Sequence, residues 1–225
     1  MFPLKDSIPS SRFPYVNWAI ILLNIFIFAR MLNMPEQAEN NMIFQLGLIP
    51  KRVFVESGLL TFSDRVIPFF TSMFMHGGFM HIIGNMYFLY IFGDNVEDRL
   101  GHGKYLIMYI LFGLAAACSQ VVLFPDSIVP MIGASGAVAG VMGAYMVFYP
   151  KARVKTLVII IIFITIVDIP AVFFLLLWFF MQFINGAGAG HGGVAWWAHI
   201  GGFIAGLLYA VTQVRNRNIE DYQII

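Results

Sequence analysis

A chain of 225 residues that is 60% hydrophobic and only 11% charged is not a water-soluble domain, since those carry about 25% charged residues. Its net charge of +1 offers no basic field for a nucleic acid. Its one cysteine, Cys118, sits in an apolar run, which excludes a disulfide framework and a cysteine metal site.

A membrane-spanning helix needs about 20 mostly apolar residues. Residues 1–14 are polar and proline-bearing and are not a cleavable signal peptide, so they are expected as a cytoplasmic N-terminal segment. Residues 13–29 are uncharged and give a first span that ends near Arg30 and Pro35. Residues 36–65 mix acids with Lys51 and Arg52 and read as a long connection with amphipathic pieces. Residues 66–93 carry no charge but are divided by Pro68 and by Gly77 and Gly78, so the second span is placed at 79–95. The acidic run Asp94, Glu97, Asp98 reads as a solvated helix end. A third span at 105–124, a turn at 125–130 and a fourth span at 133–149 follow. Residues 154–167 are apolar and β-branched but short for a span; Asp168 before Pro170 reads as a helix cap. A fifth span occupies 171–184, a glycine-rich loop 186–193 and a sixth span 195–214. Residues 215–225 form a tail.

Charge decides between six spans and seven. With six, one side carries Lys5, Arg12, Arg99, Lys104, Lys151, Arg153, Lys155, Arg215 and Arg217, against Arg30, Lys51, Arg52 and Arg65 on the other. Positive charge favours the cytoplasm. A seventh span would move Arg215 and Arg217 to the wrong side. The expectation is therefore an all-α polytopic bundle, a single membrane domain over 15–214, with both termini cytoplasmic and 154–167 at the inner interface or against the bundle.

This topology gives one stretch chemical meaning. Ser135, flanked by Gly133 and Gly136, opens the fourth span from the outer side. A helix N-terminus offers unpaired N–H groups that favour developing negative charge, as an acyl-transfer nucleophile requires. His199 lies about one turn into the sixth span from the same side, at similar depth. Gly136 with Gly140, and Gly202 with Gly206, form two small-xxx-small faces that permit close helix crossing. Crossed in register, they bring the hydroxyl to the imidazole. An ionisable residue inside a membrane is a functional candidate by default. On the second span His81 and Asn85 share a face near the outer end, where two donors could stabilise an oxyanion.

The segment from Phe74 through His76, His81 and Asn85 to Met86, the run Gly133-Ala134-Ser135-Gly136, and the run from Ala198 and His199 to Gly202 and Phe203 together resemble the signature motifs of the rhomboid intramembrane serine proteases. The likeness covers about residues 66–214, in the family's motif order. It implies Ser135 as nucleophile and His199 as base in a dyad without a carboxylate. It also implies an oxyanion site from Asn85, His81 and the Ser135 backbone N–H, and a structural role for His76. Two positions depart from the family pattern. Ala139 stands where many members have a tyrosine stacked on the histidine. Phe69 and Phe70 lie near where a Trp-Arg pair is often found in the first loop.

No metal or organic cofactor is implied, and no His-Glu-x-x-His metalloprotease motif is present. Asp94 and Asp168 as an aspartyl pair is a minor rival. A non-catalytic rhomboid-like scaffold that binds membrane clients is the main alternative from another class. The expected partners are single-span or polytopic membrane protein substrates and the lipid bilayer, with a bacterial inner membrane as the location. The fifth span is bulky with Phe173, Phe174, Trp178, Phe179, Phe180 and Phe183. It lacks a small-residue face and is therefore expected to be a loosely packed gate for substrate. His191 reads as a solvated residue of the glycine loop.

Overall fold

The computed structural model describes residues 2–55, 60–160, 163–188 and 194–223. In chain order these form β1 (Phe2–Asp6), α1 (Tyr15–Leu32), α2 (Glu36–Leu46), α3 (Pro50–Phe54), α4 (Phe62–Thr71), a 3-10 turn (Ser72–Phe74), α5 (Phe79–Leu100), α6 (His102–Leu123), α7 (Ser135–Phe148), β2 (Arg153–Ile160), β3 (Phe163–Pro170), α8 (Ala171–Gly188) and α9 (Trp196–Gln223). Among the described residues, α1, α6 and the Trp196–Arg215 part of α9 are long and apolar enough to cross a membrane. The Phe62–Phe74 stretch and α5 together pass the same test but bend by 78° between them, where Gly77 and Gly78 interrupt the chain. α7 and α8 are shorter apolar helices.

α7 is the centre of the bundle. Eleven of its residues, Gly136 to Met146, are buried in an unbroken run. Small side chains make this possible: Gly136, Ala137, Ala139, Gly140, Gly143 and Ala144 let neighbouring backbones approach from several directions. α9 lies closest. A side chain added at Gly202 would collide with the Gly136 carbonyl, and one at Gly206 with the Gly140 carbonyl. On another side Gly136 faces Ala116 and Gly140 faces Phe112, both from α6. Phe92 of α5 packs edge-on against Tyr145, with ring centroids 4.9 Å apart.

The all-α expectation needs correction. β1, β2 and β3 form a three-stranded antiparallel sheet in that order, and the described residues of 154–167, expected at the inner interface or against the bundle, belong to its strands β2 and β3. The register runs from Arg153 opposite Pro170 to Ile160 opposite Phe163. Alternation explains the choice. Val154 and Thr156 are buried while Arg153 and Lys155 are exposed, the period of two that a half-buried strand requires. The β-branched run strengthens the preference. Asp168, expected to cap the fifth span, instead lies in β3 opposite Lys155 and is exposed, so it belongs to no buried carboxylate pair. The N-terminal segment is folded onto the bundle through this sheet. Phe2 stacks on Tyr87, and the Tyr87 hydroxyl donates to the Pro3 carbonyl at 2.6 Å. The Tyr145 hydroxyl donates to Asp6 at 2.5 Å. Burial pushes the Asp6 carboxyl above its usual value, against the pull of that hydrogen bond.

The acidic run at the end of α5 is only partly a solvated end. Glu97 is buried and accepts hydrogen bonds from the backbone N–H groups of Val16 and Asn17, at 2.9 and 2.7 Å. These are first-turn amides of α1, which no intrahelical carbonyl can satisfy. Asn17 in turn donates to the Leu89 carbonyl and accepts from the Tyr105 hydroxyl, so one polar cluster clamps α1, α5 and α6.

The long first connection is held without the Trp-Arg pair of the family pattern. Leu48 forms an antiparallel bridge with Met131, bonded in both directions. Phe69 packs with Leu48, Ala117 and Val121. The Arg52 guanidinium lies 3.8 Å from the centre of the Phe44 ring.

Candidate active site

Three ties, two to backbone and one to a side chain, deliver the chain to Ser135. Met131 is paired with Leu48, the Gly133 N–H donates to the Ser72 carbonyl at 2.8 Å, and the Ala134 N–H points at His76 Nε2, 3.5 Å away. Gly133 has φ +127, a conformation only glycine adopts readily, and a side chain there would meet the His81 ring. α7 then begins at Ser135, whose own N–H belongs to the first turn and lacks an intrahelical acceptor. His76 is fully buried behind this segment, with its ring edge-on to His81 at 5.0 Å.

His199 arrives on α9. The glycine contacts between α7 and α9 set the helices close enough that His199 Nε2 lies 2.7 Å from Ser135 Oγ. Both line one cavity of about 700 Å³, together with His81 and Asn85 of α5. Asn85 is buried, and its side-chain Nδ2 has no hydrogen-bond acceptor among the described residues. A buried amide donor without a partner is costly, about 1–3 kcal/mol. It is tolerable where a ligand atom supplies the missing acceptor. The rest of the wall is mostly apolar and includes Met73, Gly113, Ala116, Met131 and Met142.

A model of the Rhomboid domain matches residues 63–216, more than half of the chain. The chain belongs to the rhomboid family. Rhomboid protein 1, mitochondrial, of Saccharomyces cerevisiae is 30% identical over 203 residues, which is 80% of this chain and 54% of that protein. RHOMBOID-like protein 6, mitochondrial, of Arabidopsis thaliana is 33% identical over 76 residues, 34% of this chain and 24% of that protein. Rhomboid protease GluP of Bacillus subtilis is 33% identical over 76 residues, 34% of this chain and 14% of that protein. The chain thus spans about half the length of the yeast relative and less of the other two. Family and apolar helices together make this rhomboid a multi-pass integral membrane protein with a mostly helical fold.

With Ala139 in place of the family's frequent tyrosine, the ring of His199 takes its support from elsewhere in this rhomboid. Trp178 of α8 lies beside it, ring centroids 6.1 Å apart, and Trp196 meets it edge-on at 5.9 Å. Gln182, also on α8, places Oε1 2.8 Å from His199 Nδ1. Sequence reasoning passed over Gln182, although a signal was present: it is the one polar side chain in residues 171–184. The fifth span, expected as a loosely packed gate, meets the bundle along one face through aromatic rings. Trp178 packs against Phe203 as well as His199, and Phe179 lies 4.8 Å from Phe203. Phe173, Leu176, Leu177, Phe180, Met181, Phe183 and Ile184 are the exposed apolar side chains of the helix. His191 lies outside the described residues.

Proposed function

We propose that this rhomboid is an intramembrane serine endopeptidase that cleaves the transmembrane segments of other membrane proteins. The observation that carries this reading is the 2.7 Å contact between Ser135 Oγ and His199 Nε2 in a cavity that also holds the unpartnered Asn85 donor. The name of the Bacillus subtilis relative, a rhomboid protease, supports it. In this reading the bundle has six spans with both termini cytoplasmic. α7 is 14 residues long, roughly 21 Å at about 1.5 Å per residue, short of a hydrocarbon core of about 30 Å. With its far end at the inner interface, Ser135 sits below the outer surface, where a substrate helix would unwind.

Ser135 Oγ attacks the carbonyl carbon of the scissile peptide while its proton passes to His199 Nε2. The negative charge that forms on the carbonyl oxygen is held by the Ser135 N–H, by Asn85 Nδ2 and by His81. The imidazolium returns its proton to the leaving amine as the C–N bond breaks, leaving an acyl-enzyme. Water, deprotonated by the same histidine, then releases the second product. The apolar cavity wall suits an apolar substrate side chain next to the scissile bond.

The purified protein in detergent should cut a single-span model substrate and take up a fluorophosphonate probe on Ser135. Absence of both with a folded protein would favour the scaffold alternative. The oxyanion assignment has its own test. Removing one preorganised donor costs about 10²–10³ in turnover. Asn85→Ala is expected to lose turnover on that scale while still labelling at Ser135, and His81→Ala to follow in the same direction. Wild-type turnover in both variants would leave the oxyanion without its proposed donors.

A further inference from the structure

We infer that Gln182 is a positioning residue that fixes the working tautomer of His199, so that α8 controls the base as well as covering it. The inference rests on the protease reading for its consequence but not for its geometry.

A neutral imidazole carries one proton, and only a bare Nε2 can accept the serine hydroxyl proton. The partner of Nδ1 therefore decides whether the base works. Gln182 presents an amide whose two ends are chemically opposite, one an acceptor and one a donor. Its orientation is not free. Gln182 Nε2 lies 3.3 Å from the carbonyl oxygen of Trp178, one turn back on the same helix. Turning the amide over would set oxygen against oxygen there. With Nε2 donating to Trp178, Oε1 faces His199 Nδ1 at 2.8 Å and can only accept. Nδ1 must then hold the ring proton, which leaves Nε2 bare and 2.7 Å from Ser135 Oγ. The chain Trp178 carbonyl, Gln182 amide, His199 ring, Ser135 hydroxyl is thus polarised in one direction. Gln182 and His199 are both buried, which strengthens the hydrogen bond between them.

The same arrangement suits the charged form. When Nε2 takes the serine proton, the imidazolium still donates from Nδ1 to the Gln182 oxygen, which needs no rearrangement to receive it. A neutral amide thus does the orienting that a carboxylate does in three-membered sites. Because Gln182 and Trp178 both ride on α8, an outward movement of that helix would remove the acceptor and a ring neighbour of His199 together. Substrate admitted beside α8 would meet a competent base only once the helix had returned.

The test uses the full-length protein in micelles, labelled with ¹⁵N-histidine, and the His199 signals are assigned by their loss in His199→Ala. In the wild type Nδ1 is expected to show the protonated, pyrrole-like shift and Nε2 the bare, pyridine-like one. Gln182→Met keeps the length and removes the acceptor, and both ring shifts should then move toward an average of tautomers. Gln182→Leu serves as a second apolar replacement of different shape. Turnover of a single-span substrate should fall about 10–100-fold in both, carried by kcat with KM little changed. Gln182→Glu keeps the acceptor and should recover most of the loss. A wild-type ring protonated at Nε2 overturns the inference, and so does an unchanged tautomer in folded Gln182→Met. These shifts are read without substrate, so an inactive wild type would sink the protease reading while leaving the tautomer result to stand or fall alone.

Discussion

Ser135→Ala is expected to abolish cleavage of a single-span substrate, and His199→Ala to do the same, with both variants still folded. In serine hydrolases the nucleophile and base act as one unit, and losing either costs about 10⁶ in kcat, nearly as much as losing both. The 2.7 Å contact makes the same non-additivity the expectation here. The double variant should therefore be no slower than either single one. Neither substitution should unfold the protein, because the serine to alanine change removes one oxygen facing a cavity. His199 is more enclosed, and its replacement leaves a space beside Trp178 and Trp196. A thermal shift in that variant is expected to be larger than in Ser135→Ala. Fluorophosphonate labelling separates the roles further: it should vanish in Ser135→Ala and drop steeply in His199→Ala. A Ser135→Ala protein that cuts at the wild-type rate would end the serine protease reading.

The parts of this site that sequence made legible were those with a periodicity or a cost attached to them. Glycines four apart on two apolar stretches announce a close crossing, and Gly202 does lie on Gly136 as Gly206 lies on Gly140. A histidine in a span is costly enough to need a reason, which singled out His199. Asn85 one turn after His81 followed from helix geometry. What escaped was set by contacts between elements far apart in the chain. Gln182 reaches His199 only because aromatic rings seat one face of α8 against α9. Glu97 looked like part of a solvated acidic run because nothing local says that the first-turn amides of α1 will lie over it. The sheet was missed for a related reason. Residues 154–167 carry the β-branched run of a strand, but the N-terminal segment that pairs with β2 precedes it by about 150 residues.

Gly202→Ala is expected to cost this rhomboid both stability and nearly all of its activity, through one displacement. An added Cβ at residue 202 would fall within van der Waals contact of the Gly136 carbonyl oxygen. That oxygen is backbone of a buried helix, so no rotamer change can relieve the clash. α7 and α9 must separate by about an ångström, and overpacking of this kind costs about 1–3 kcal/mol. The chemistry suffers more than the fold. Ser135 directly precedes Gly136 and His199 lies three residues before Gly202, so separation at this crossing stretches the 2.7 Å contact beyond hydrogen-bond range. A misplacement of about 1 Å at a reacting pair can cost about 10²-fold. Gly206→Ala meets the Gly140 carbonyl in the same way one turn further from the serine. It should destabilise to a similar extent while losing less activity, because α9 can pivot about the Gly202 crossing. Gly103→Ala supplies the control, since an added Cβ there meets nothing within 4 Å; its melting temperature and turnover should match wild type. Measured together, thermal unfolding in detergent and kcat on a single-span substrate decide the matter. Wild-type values of both in Gly202→Ala would mean that the crossing of α7 and α9 does not set the distance between Ser135 and His199.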